Sequence, residues 1–177
     1  EPLMYEMHWW ALEEMINNGS AKNCYLRYNS NLSRIKYKGK YLYDYLPQFK
    51  NWLMCASIDG TGDIGEFIRK GLVWDKWLHN FKEGLKITEP YPEAGHDKMR
   101  IDLTITGPGL FSIKDLFDLS IELNVGIETK IMFAFHPDIV FSAFSWPRHI
   151  LDRKIDELLT YIEPRVTQKQ ITLVNTL

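Results

Sequence analysis

Strand-like and helix-like stretches take turns along this chain, and that alternation constrains its fold more than any single motif. Residues 3–18 read as a helix, because Met4, Met7, Ala11, Leu12, Met15 and Ile16 recur at helical spacing and Asn18-Gly19 supplies a stop. Trp9 and Trp10 widen its apolar face. A strand is expected over 23–29, a basic loop over 36–40, and a short aromatic helical segment over 41–49. The run Trp52-Leu53-Met54-Cys55-Ala56 reads as a buried strand that reaches Ser57, and Gly60-Thr61-Gly62 breaks it before another helical pattern. A strong helix follows over 72–85, with Val73, Trp74, Trp77, Leu78, Phe81 and Leu85 on one stripe. Pro90, Pro92 and Gly95 mark 86–97 as a loop.

The rest of the chain repeats the pattern. A strand is expected over 98–106, then a helix over 113–123 that Ser112 and Asp115 are spaced to start as a capping box. A strand over 126–135 leads into a loop at His136-Pro137. Ser145 is placed to cap a helix over 146–162 that buries Ile150, Leu151, Ile155, Leu158 and Leu159, and Pro164 ends it. Within the tail, 170–174 reads as a short strand. Strands alternating with helices imply parallel βα units and an α/β fold.

The stretch 98–106 narrows this further. Met99, Ile101, Leu103 and Ile105 face one way, and Arg100, Asp102, Thr104 and Thr106 face the other. Strands of an open parallel sheet covered on both faces are close to continuously apolar. A barrel-like sheet with outer helices and a polar interior accounts better for one polar face, and such barrels place their chemistry at the C-terminal ends of strands. Asn31, Ser57 and Asp59 fall there. Ser57 and Asp59 lie two residues apart and so share a face; with Arg69 on the next segment they form a candidate polar-ligand site. Arg100, Asp102, Thr104, Glu128 and Lys130 would add a polar interior suited to a polar substrate, peptide-like or amino-acid-derived. Each residue also has an ordinary reading: Asp59 and Asn31 as turn residues, Ser57 as a core hydroxyl, Arg69 as a helix-surface cation.

At 177 residues the chain suffices for one domain with a real core. A net charge of −2 gives no general attraction to nucleic acid or anionic membrane. No apolar run approaches the about 20 residues that cross a bilayer. Cys24 and Cys55 are the only two cysteines, which suits a reducing cytoplasm rather than a disulfide framework. Strand parity points Cys55 inward with Ser57 and Cys24 away from Asn29 and Asn31, so buried structural thiols are expected rather than a metal site. His136 follows a strand end without a visible partner, and His8 and His79 sit in helices as packing or surface residues. Lys36, Lys38 and Lys40, interleaved with Tyr37 and Tyr41, read as a solvated basic loop. No nucleotide-binding, zinc-protease or serine-hydrolase motif is present.

Several segments together resemble radical S-adenosylmethionine (radical SAM) enzymes. Glu1-Pro2-Leu3 looks like the end of the Gly-Gly-Glu-Pro motif after the second strand of that family. Asn29-Ser30-Asn31-Leu32-Ser33 is similar to its third-strand segment. Ser57-Ile58-Asp59-Gly60, followed by Glu66-Phe67-Ile68-Arg69-Lys70-Gly71-Leu72-Val73-Trp74, resembles the fourth strand and its helix, most closely in the branch with a twitch or SPASM-type extension. The resemblance implies a partial (β/α)6 TIM-like barrel over 1–163 with a tail over 164–177. It also implies a 4Fe-4S cluster that binds S-adenosylmethionine, an electron donor, and reductive cleavage to a 5′-deoxyadenosyl radical that takes hydrogen from a substrate. Carried over residue by residue, Glu1 would meet the methionine amino group, Asn31, Ser57 and Asp59 would line the nucleoside, and Arg69 would pair with the methionine carboxylate.

One departure limits the resemblance. The CxxxCxxC cluster motif is absent, and neither Cys24 nor Cys55 can replace it. The opening Glu1, without an initiator Met, suggests that the N-terminal strands one and two are missing. The expectation is therefore a portion of such an enzyme, inactive alone and prone to self-association through unpaired strand edges. The alternatives are a non-catalytic binding or scaffold module built on the same barrel, and an ordinary TIM-type enzyme using His136 and Asp102.

Overall fold

The computed structural model describes residues 2–88, 98–132 and 138–177. Within them the chain is α/β. Strands β1 (Tyr25–Ser30), β4 (Asn51–Ile58), β5 (Met99–Ile105) and β6 (Gly126–Ile131) form one parallel sheet in the order β1-β4-β5-β6. Strand order thus follows chain order. Two-residue strands β2 (Lys36–Tyr37) and β3 (Lys40–Tyr41) make a separate antiparallel pair. The helices are α1 (Glu6–Asn17), α2 (Leu42–Tyr45), α3 (Gly62–Ile68), α4 (Trp74–Lys86), α5 (Ile113–Glu122), α6 (Arg148–Ile162) and α7 (Ile171–Thr176). No helix among the described residues is long and apolar enough to cross a membrane.

The chain divides into two compact units, Glu1–Ala56 with Asp75–Arg100, and Ser57–Trp74 with Ile101–Leu177. In the first, β1 pairs with β4 from Tyr25↔Asn51 to Ser30↔Ala56. Met54 N–H donates to the Lys98 carbonyl at 2.7 Å. Trp52, Met54, Cys55 and Ala56 are buried, as a continuous apolar strand requires. The α1 stripe differs from the sequence expectation. Met4 and Met7 are exposed, while Trp9 and Leu12 are buried. Trp9 decides the helix orientation: it stacks on Tyr37 at 6.2 Å, meets Tyr45 edge-on at 5.5 Å, and donates its indole N–H to the Leu3 carbonyl at 3.0 Å. A large aromatic ring with a satisfied N–H gains more from burial than two flexible thioethers.

The basic stretch 36–40 is a hairpin rather than a loop. Lys38 and Gly39 both have positive φ, 46° and 83°, as a tight two-residue turn demands. Its lysines are anchored: Lys38 pairs with Glu6 at 3.0 Å and Lys40 with Glu13 at 2.8 Å. His8 packs, with its ring nitrogen 3.0 Å from the Tyr28 hydroxyl, and His79 faces solvent. On α4 the buried set is Trp77, Asn80, Phe81 and Gly84, whereas Val73 is exposed.

In the second unit, Ile101, Leu103 and Ile105 of β5 are buried as expected, and Asp102 among them is buried as well. Three sequence expectations are corrected there. Residues 170–174 are helical, within a 3-10 turn and α7, not a strand. Ser145 does not cap α6; its hydroxyl donates to the Ser142 carbonyl, and Pro147 occupies the cap position instead. Leu158 and Ile162 carry the burial of α6, while Ile150, Leu151, Ile155 and Leu159 are half-buried. Glu1, the loop residues 89–97, the strand extension 133–135 and His136 lie outside the described residues.

Candidate functional site

The second unit begins where β4 turns from apolar to polar. Asp59 follows the strand directly and is 7% exposed. Arg69, the residue that closes α3, brings its guanidinium back onto it. Nη2 donates to Asp59 Oδ1 at 3.0 Å, and Nε donates to Oδ2. This side-on fork is the strong, directional form of an arginine–carboxylate pair. It engages Nε and Nη2 and leaves Nη1 outside the pairing, on a side chain still 27% exposed. The arrangement gives an oriented cation, its own charge matched, with donors left for a further anion.

Close backbone contacts hold the turn in place. A Cβ on Gly65 would lie 2.2 Å from the Gly60 carbonyl oxygen. A Cβ on Gly109 would lie 2.4 Å from the Asp59 carbonyl oxygen and 2.7 Å from Thr106 Oγ1. The Asp59-Gly60 peptide is therefore gripped between α3 and the 3-10 turn Pro108–Phe111, with no room for a side chain on either wall. Polar bonds add to the grip. Thr61 N–H donates to Ser112 Oγ at 3.1 Å, and its hydroxyl donates to Asp115 Oδ2 at 3.3 Å. The expected Ser112–Asp115 capping box is accordingly not formed: α5 has no side-chain cap bond, because both groups are spent on Thr61. A buried hydroxyl satisfies whichever donor reaches it, and the neighbouring loop reaches Ser112.

A second polar row crosses the strands. Ser57 Oγ donates to Asp102 Oδ2 at 3.3 Å, and Lys130 Nζ donates to the same oxygen at 2.9 Å. The three residues come from β4, β5 and β6. Asp102 is buried, Ser57 half-buried, and the Lys130 side chain 54% exposed. A buried carboxylate thus steadies a cation whose head remains accessible. Thr104 and Glu128 are half-buried.

Of the sequence-predicted residues, Ser57, Asp59 and Arg69 belong to one unit, and Asp59 and Arg69 are in direct contact. Asn31 belongs to the other unit. There its Oδ1 accepts the Ser33 N–H at 3.0 Å, the local turn expected of an asparagine after a strand. Leu32 at the turn's centre has φ 49°, and Asn80 Nδ2 donates to its carbonyl at 2.6 Å. Glu1 lies outside the described residues. Cys55 is buried and Cys24 half-buried, both as free thiols, and no group of three or more metal-ligating side chains occurs among the described residues. Sequence reasoning missed the part played by Thr61, Ser112, Asp115 and Gly109. Their only sequence signal is residue type, since the contacts span about fifty positions.

Comparison with known proteins finds no family model that matches the chain, no similar curated protein and no solved structure that matches it.

Proposed function

We propose that this chain provides part of an S-adenosylmethionine cradle, as a portion of a radical SAM enzyme of the twitch or SPASM-like branch with a partial (β/α)6 barrel. The observation that carries the reading is the Asp59–Arg69 fork at the end of β4, in the segment whose sequence resembles that family. Sequential strand order adds support, since a barrel arc needs it. On this reading Arg69, held by Asp59, takes the methionine carboxylate with its remaining N–H groups. Ser57 offers a hydroxyl at the same strand end. Asp102 and Lys130 serve a polar substrate, peptide-like or amino-acid-derived. Asn31 and Glu1 keep the roles that the resemblance implies.

Bound S-adenosylmethionine is, in the enzymes resembled, the source of a 5′-deoxyadenosyl radical that takes hydrogen from a substrate. The residues present do not fit the 4Fe-4S cluster. There are two cysteines where the cluster motif needs three, Cys55 is buried within a strand, and no group of three or more metal-ligating side chains occurs among the described residues. No step through the cluster is assigned to this chain; its ligands and electron donor would come from outside this sequence. That same observation favours a second reading, a non-catalytic binding module on the same scaffold. Either fits a reducing compartment such as the cytoplasm.

Calorimetric titration with S-adenosylmethionine and with its decarboxylated analogue tests the reading. Binding of the first is expected, with about tenfold or greater loss, ~1.4 kcal/mol, for the analogue and for Arg69→Ala alike. No binding at millimolar ligand, or equal binding of both ligands, refutes it.

A further inference from the structure

Strand β6 ends the sheet, and among the described residues no strand pairs with its outer side. In a parallel strand the N–H and C=O of one residue face the same side, and the side alternates residue by residue. Met132 N–H donates to the Ile105 carbonyl at 3.0 Å, toward β5. Val125, Ile127, Thr129 and Ile131 therefore present their backbone groups outward. The Val125 and Ile127 carbonyls are taken by side chains of the C-terminal segment. Gln170 Nε2 donates to the Val125 carbonyl at 3.0 Å, and the Thr172 hydroxyl donates to that of Ile127. Thr129 Oγ1 donates to the Thr172 carbonyl at 2.9 Å and lies 2.5 Å from Thr176 Oγ1. Lys169 Nζ reaches the Asn124 carbonyl at 2.6 Å.

The segment occupies a strand-pairing edge without being a strand. Its helix α7 has six residues and one buried side chain, Leu173. Its entry is set by a capping box in which Gln170 Oε1 accepts from Thr167 while Gln170 Nε2 holds β6. A short helix is intrinsically marginal, so this one depends on its tertiary contacts.

We propose that residues 167–176 are a removable guard over the β6 edge, and that the strand they hold off is β6 of a second copy of this chain. The sequence of β6, Gly126-Ile127-Glu128-Thr129-Lys130-Ile131, is self-complementary about Thr129. In an antiparallel pair centred there, outward-facing 127, 129 and 131 meet 131, 129 and 127 of the other copy. Glu128 then lies opposite Lys130 at both ends of a two-fold axis. Lifting α7 would exchange side-chain bonds for a backbone ladder, which is how edge strands recruit partners.

The test uses the full chain. Gln170→Ala/Thr172→Val removes the bonds to β6, and Thr167→Ala loosens only the capping box. Sedimentation velocity should show a monomer converting to a dimer in both variants, more strongly in the first. Hydrogen exchange should speed up over 171–176 and slow down over 126–131 as concentration rises. Adding Lys130→Glu or Glu128→Lys should weaken the dimer about tenfold in each case, and mixing the two should restore it. Variants that stay monomeric, that lose the unit's cooperative unfolding with the guard, or that dimerise regardless of the charge swap would overturn the proposal.

Discussion

Asp59 and Glu13 are both carboxylates that accept from a cation, yet they are built differently. Asp59 ends a buried strand, and its backbone is gripped between glycine-lined walls. Glu13 sits on α1 and accepts from Lys40 at 2.8 Å and from the Tyr45 hydroxyl at 2.9 Å, all three on side chains free to move with their elements. One geometry is enforced by backbone contact, the other by the charges themselves. Only the first keeps its orientation when a ligand arrives, and preorganisation of that kind is what a binding site needs.

The largest effect expected comes from the walls. Gly65→Ala should cost about 3 kcal/mol or more, because its Cβ would meet the Gly60 carbonyl and backbone cannot move aside. Gly84→Ala in the other unit should cost less, about 1–2 kcal/mol, since the Met99 side-chain end can shift while the buried Tyr43 hydroxyl, bonded to the Asn80 carbonyl, yields less. Equal losses in chemical denaturation would erase the distinction. Asp59→Ala comes next, at about 2 kcal/mol: it strands Arg69, but partial exposure of that arginine softens the loss. Ser112→Ala should cost about 1–2 kcal/mol by leaving the Thr61 N–H unpaired, with a similar loss of any ligand binding at Asp59–Arg69. Helix α5 should remain intact by circular dichroism, because Ser112 does not cap it.

The smallest effect is at Glu13 and depends on pH. Its hydrogen bond from Lys40, with that from Tyr45, holds the carboxyl below its ordinary value of 4.5. A depressed folded-state value contributes stability above 4.5 that is lost as pH falls through the lowered value. The difference in melting temperature between the parent chain and Glu13→Gln should therefore shrink on acidification below about pH 4.5. A difference that stays constant to low pH would mean that the bonds from Lys40 and Tyr45 do not hold the Glu13 carboxyl below its ordinary value.

Much of the fold was legible because its signals are local. The continuous apolar run to Ala56, the alternation of β5 and the α4 stripe each announced an element, and each element formed. The failures are also local in form. Residues 170–174 carry β-branched side chains at strand-like spacing, yet Thr172 turns its hydroxyl to the Ile127 carbonyl from a helix. Ser112 and Asp115 have the spacing of a cap but bond to Thr61, 51 and 54 residues away. Met7 fitted the α1 stripe and is exposed, because Trp9 found better partners in Tyr37 and Tyr45. For the candidate site, spacing brought Ser57, Asp59 and Arg69 to attention but gave no sign that Asp59 and Arg69 pair with each other.

The sequence by itself determined the alternation of strands and helices and the polar ending of β4, since hydrophobic period and turn residues act over a few neighbouring positions. Tertiary structure alone decided which polar groups meet: the Arg69 fork on Asp59, the Asp102 bridge between Ser57 and Lys130, the bonds from Thr61 to Ser112 and Asp115, and the helix over the β6 edge. Those choices depend on which unsatisfied donors and acceptors the packed elements bring within hydrogen-bond distance, and residues tens of positions apart leave no periodic trace of that in the chain.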